Sequence, residues 1–131
     1  MPVEFQLDEP DRIVRTRAWG CLTDDDLLDH QVHVTALFRD EVLDSTWAQI
    51  YDTTGAENLD GVTTRGLERL AQGLPWPDGS LMVIVTSGVL QFGLARMFEL
   101  ASDFAGARIL PSVAEAEAFI ARARARSGEA T

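Results

Sequence analysis

Leu81-Met-Val-Ile-Val-Thr86 is the stretch that decides the fold of this chain. An unbroken apolar run, bounded by turn residues and followed at once by a helical pattern, reads as a central sheet strand covered on both faces. The helical pattern starts near Val89. It puts Leu90, Leu94, Met97, Ala101 and Phe104 on one side, and Val89, Phe92 and Phe98 widen the apolar surface. This predicts a helix from about Gly88 to Phe104, the crossover a parallel sheet requires, covered by the domain itself or by a second copy.

Upstream of that strand, Thr63 or Thr64 opens a helix whose buried stripe is Leu67, Leu70, Ala71 and Leu74, closed by Gly73 with Pro75 and Pro77. Trp47-Ala-Gln-Ile-Tyr51 predicts a short strand. The polar segment from Asp52 to Gly61 reads as a loop of about ten residues, longer than such junctions usually are and so a place to look for function. Val3 to Leu7 alternates apolar and polar, Ile13 to Trp19 does so less strictly, and Glu9-Pro-Asp11 lies between them. A hairpin follows, with Gly20 stopping its second strand. Thr23 and Asp26 form a capping-box pattern for a helix from Asp24 to near Asp40, with Leu27, Val34, Leu37 and Phe38 facing inward.

Downstream, Ala107-Arg-Ile-Leu110 predicts a brief edge strand. Ser112 and Glu115 then cap a final helix that turns Val113, Ala116, Ile120 and Ala123 inward and carries Arg122, Arg124 and Arg126 at its negative end. The order β-β-α-β-α-β-α-β-α defines an α/β domain. It predicts a five-stranded, mostly parallel sheet with about four helices and the first strand antiparallel at an edge, over residues 1–126, with 127–131 a disordered tail.

With 131 residues, the chain is long enough for one core without staples. Apolar residues at 46% and charged ones at 24% are ordinary for a globular domain, and no run approaches the ~18 apolar residues of a membrane span. Met1 to Asp8 lacks a basic region and an apolar stretch of signal length, which predicts a cytoplasmic protein. A net charge of -10 repels phosphate backbones and anionic lipids, so neither nucleic acid nor a membrane is an expected partner. The lone Cys21 reads as a small residue near a strand end.

Several stretches together carry a family likeness: Trp19-Gly20 before the Thr23-Asp-Asp-Asp-Leu27 helix start, the strand ending in Tyr51-Asp52, Phe92-Gly-Leu-Ala-Arg-Met-Phe-Glu99, and Ser112-Val-Ala-Glu-Ala-Glu-Ala-Phe-Ile120. With the element order, they make the chain resemble the STAS-like domains, and more closely the SpoIIAA-like bacterial proteins of the STAS and SEC14-type group. The resemblance implies a regulatory module that works by protein binding, as anti-sigma-factor antagonists do. It also implies a partner kinase of the anti-sigma type and a phosphorylatable hydroxyl at the start of the second helix. The candidate acceptors are Thr63 and Thr64, which also read as plain caps, and Thr53 and Thr54 in Asp52-Thr-Thr-Gly55, which looks like the antagonists' Asp-Ser-Ser-Gly.

Trp47, Tyr51, Trp76 and Phe92 form the candidate ligand or partner surface. Trp47 and Tyr51 share a strand face, and the four could line a cavity for a small apolar ligand, as the SEC14 side of the resemblance suggests, or simply pack a core. Self-association through the apolar third helix or the Trp76 loop predicts a homodimer. His30 and His33, three apart on the first helix, lack a third metal ligand, and Asp24 to Asp26 are explained as helix-start residues. No phosphate loop, nucleophile elbow or Cys-His pair is present, so the sequence names no catalytic residue, metal site or cofactor and predicts a non-enzymatic protein.

Overall fold

Pro10 and its neighbours turn the chain back on itself, so that β1 (Val3–Asp8) pairs antiparallel with β2 (Ile13–Thr23), Val3 opposite Ala18 and Asp8 opposite Ile13. The computed structural model describes residues 2–102 and 107–129. From β2 onward strands and helices alternate: α1 (Asp24–Arg39), β3 (Ala48–Gly61), α2 (Thr64–Gln72), β4 (Leu81–Val85), α3 (Val89–Ser102), β5 (Ala107–Leu110) and α4 (Val113–Glu129). The element order and the α/β class are those expected from the sequence. The five strands lie side by side in chain order, with β2 to β5 mutually parallel and β1 antiparallel at one edge.

Chain-order stacking has a consequence for the layers. Crossovers of one hand, each advancing in the same direction across the sheet, bring their helices down on the same face. Accordingly α1, α2 and α3 cover one face, and α4, which connects no strands, covers the other. On the α4 face Ile13, Ala48, Ile50, Val83 and Val85 pack around Ala116 and Ile120. On the opposite face Val14 and Met82 meet Val34, Leu43, Trp47 and Trp76, with Leu37 and Phe38 packed alongside. A third cluster, Ala18, Leu22, Ala56 and Leu59, extends that second core beneath Leu94 of α3. The run at 81–85 is interior as expected, flanked by β3 and β5, although β3 and not β4 is the middle strand.

Three expectations need correction. Gly20 does not end β2: it adopts a positive φ of 66°, and the strand continues to Thr23. Register shifts between Arg17 and Trp19, and twice more before Thr23, mark bulges at which a glycine costs no Cβ strain. The segment 52–61 is likewise not a loop. It prolongs β3 to Gly61, pairing Gly55 with Trp19, Asn58 with Cys21 and Gly61 with Thr23. Because the bulges disturb the two-residue alternation, the buried positions there are Ala56 and Leu59, three apart amid polar neighbours, and the stretch looks like a loop on composition. Third, α4 continues to Glu129, past the expected domain boundary at 126.

The expected helix starts are present. In α1 the Asp26 amide donates to Thr23 Oγ1 (3.3 Å) and the Thr23 amide to Asp26 Oδ2 (3.0 Å), so Asp serves in a capping box where Glu is usual. The Glu115 amide donates to Ser112 Oγ (3.1 Å) before α4. Arg124 adds a tether that macrodipole reasoning does not anticipate: its guanidinium donates to the carbonyls of Asp11, Arg12 and Thr46, joining α4 to two loops. Phe104 lies outside the described residues, as do the side chains of Leu90 and Ala101. No described helix is long and apolar enough to cross a membrane.

Candidate functional site

Strand alternation sends Gln49, Tyr51 and Thr53 of β3 toward the face covered by three helices, and between them and those helices the packing leaves a cavity of about 130 Å³. Leu67 and Leu70 of α2, Leu94 and Phe98 of α3, and Met82 and Ile84 of β4 supply much of its apolar wall, and among the described residues no Asp, Glu or Arg lines it. Of the four aromatic residues proposed for this role, Tyr51 and Trp76 stand on the wall, while Trp47 and Phe92 do not. Trp47 precedes β3 and is buried beside Leu43, Val34 and Trp76. Phe92 sits on the outer side of α3 and is half exposed.

The polar groups on the wall differ in how they are satisfied. Gln49, fully buried, places its amide nitrogen 3.1 Å from the Val14 carbonyl, 2.9 Å from Thr16 Oγ1 and 3.0 Å from the Ile50 carbonyl. The Thr16 hydroxyl in turn lies 2.8 Å from His30 Nε2, and can donate to it when the ring is neutral. His30 is 9% exposed, with its ring edge-on to Phe5 and to Tyr51. Burial, reinforced by the nearby His33, lowers its pKa to about 4, so at neutral pH it carries no charge. The Thr53 hydroxyl donates to the Val85 carbonyl (2.7 Å), and the Gln91 amide to the Ala56 carbonyl (2.7 Å).

Tyr51 is the exception. Its hydroxyl oxygen is buried and has no hydrogen-bond partner among the described residues. Burial, with a contribution from the negative charge of Asp26, pushes its pKa above the ordinary tyrosine value, so the hydroxyl keeps its proton and remains a donor. Ser80 is the other described buried hydroxyl without a partner, and it lies off the cavity wall.

The candidate phosphoacceptors fall in two places. Thr53 and Thr54 lie within β3, Thr53 bonded as above and Thr54 donating to Asp52 Oδ1 (2.7 Å). Thr63 is the N-cap of α2: its Oγ1 accepts from the Gly66 amide (2.9 Å) and donates to Asp24 Oδ2 (2.6 Å), while its amide donates to Asp24 Oδ1 (2.9 Å). Thr64, the first helical residue, is exposed. The two helix starts are thus tied together by Asp24, a contact between positions 39 residues apart that nothing in the sequence pattern announces.

His30 and His33 diverge, one buried against Thr16 and the other exposed, and no group of three metal-ligating side chains is found among the described residues. Cys21 is exposed. The sequence shows His30 on the border of the apolar stripe between Leu27 and Val34, a placement that signals burial, but its partner Thr16 and the neighbouring Gln49 emerge only from the strand register. No protein-family model matches the chain, and no characterised protein matches it by sequence.

Proposed function

We propose that the chain binds a small apolar molecule in the cavity beneath α1, α2 and α3, as a carrier or sensor of that molecule. The observation that carries this reading is an apolar cavity lined by Tyr51, whose buried hydroxyl has no partner among the described residues. Interiors normally close such spaces and satisfy such groups, and sites for small molecules are where both rules are relaxed. Native mass spectrometry of freshly purified protein, followed by gentle organic extraction, tests the reading. A retained small molecule is expected, and a protein that is always empty and takes up no apolar probe ends it.

A second reading is favoured by α3. Val89, Phe92, Met97 and Leu100 recur along its outer side at 91%, 50%, 38% and 67% exposure, a stripe of large apolar side chains of the kind that marks an interaction surface when contiguous. This supports the regulatory, protein-binding role of a SpoIIAA-like STAS domain, with a second copy or another protein seated on the stripe. In that role Thr64 is the better phosphoacceptor of the two at the helix start, since a phosphoryl group on Thr63 would remove its cap bonds and face the Asp24 carboxylate. Sedimentation velocity of the wild type and of Leu100→Asp decides whether the stripe is covered by a second copy: a dimer that the substitution converts to monomer is expected.

A further inference from the structure

We infer that the cavity selects an uncharged ligand bearing one hydrogen-bond-accepting oxygen, which the Tyr51 hydroxyl holds. The inference rests on the ligand-binding reading above and adds the chemistry of the ligand.

The hydrogen bonding of the wall's polar residues points to it. Gln49, Thr53 and Gln91 each donate to backbone carbonyls, and His30 Nε2 faces the Thr16 hydroxyl. Gln31, on α1, is only half-buried. Among the wall residues, Tyr51 is the one whose hydroxyl is buried and has no partner among the described residues. A phenol that keeps its proton is a donor seeking an acceptor. Water in a pocket this apolar would find few of the two to four partners it needs, whereas a carbonyl or ether oxygen on an apolar body satisfies the phenol and fills the remaining space. A carboxylate would also accept, but no Arg among the described residues lines the cavity, His30 is neutral, and Asp26 already adds negative potential at Tyr51. An anion brought there loses its hydration without gaining a counter-charge. Size sets the other limit: a cavity of about 150 Å³ with similar walls accepts benzene, so this one, at about 130 Å³, suits a body of roughly one ring.

The test measures binding of acetophenone, ethylbenzene and benzoate to the full chain by ligand-observed NMR, for the wild type and for Tyr51→Phe. Acetophenone should bind the wild type more tightly than ethylbenzene, and benzoate should show no binding at the same concentration. Tyr51→Phe should weaken acetophenone about tenfold and leave ethylbenzene unchanged. Its melting temperature should hold or rise, because a buried, unpartnered hydroxyl has been removed; this also establishes that the variant is folded. If acetophenone binds Tyr51→Phe as well as it binds the wild type, or if benzoate competes on equal terms, the selectivity argument is overturned while the cavity stands. Failure of both neutral probes to bind the wild type would instead overturn the ligand-binding reading and the inference with it.

Discussion

Substituting His30 with Gln tests the most consequential buried group in the molecule. In the folded protein His30 stays neutral until the pH approaches about 4, whereas the unfolded chain protonates it near 6.5. Between those values the unfolded state holds the extra proton, so acid favours unfolding. The stability associated with the neutral ring is complete above pH 6.5, declines as the pH falls through that value, and is exhausted near pH 4. Lowering the pH from about 7.5 to about 5.2, which stays above the isoelectric point of 4.4, should cost the wild type about 2 kcal/mol from this residue alone. Gln is uncharged at every pH and offers the Thr16 hydroxyl an acceptor oxygen, so His30→Gln should lose far less over the same interval, whatever its stability at neutral pH. Urea unfolding at both pH values, followed by tryptophan fluorescence, reads the difference. Parallel losses in the two proteins would refute the claim that a desolvated, neutral His30 makes the fold acid-sensitive.

The remaining substitutions probe the joints of the fold. A Cβ on Gly66 would sit 2.1 Å from Asp24 Oδ1, so Gly66→Ala must displace the carboxylate that binds Thr63. A net loss of about 1 to 2 kcal/mol is expected despite the better helix propensity of Ala, and an Asp24→Ala background should erase it in a denaturation double-mutant cycle. Ile120→Ala removes a side chain that is 1% exposed at the centre of the α4 face, and should cost about 3 kcal/mol by chemical denaturation. Arg124→Ala should lower stability by about 1 kcal/mol through the lost bonds to three loop carbonyls, and Arg124→Lys should recover little, since an ammonium cannot span the three as the guanidinium fork does.

Much of this architecture is legible in the amino-acid order, for identifiable reasons. The apolar run at 81–85 has no polar residue to place it at a surface, and the Thr23–Asp26 and Ser112–Glu115 pairs each satisfy orphan amides at a helix start. What escapes is whatever depends on register. The second half of β3 is hidden because bulges around Gly20 shift its pairing with β2 and move its buried positions to Ala56 and Leu59. The cavity is half legible. Alternation groups Trp47 with Tyr51, but Trp47 precedes the strand and is drawn into the cluster around Leu43, while His30 and Gln49 are polar residues that reveal their burial only once a partner strand supplies acceptors and donors.

Beyond Asp52, β3 has β2 as its only strand neighbour among the described residues, since β4 pairs with it from Ala48 to Asp52 and no farther. Its other flank would present bare backbone groups, the kind of template on which chains stick together. Here α3 shields that flank, the Gln91 side chain taking the Ala56 carbonyl as a neighbouring strand's amide would. The same helix forms part of the cavity wall. Displacing α3 would therefore break this surrogate pairing and uncover the cavity wall together, so the strand flank and the cavity depend on one helix staying in place.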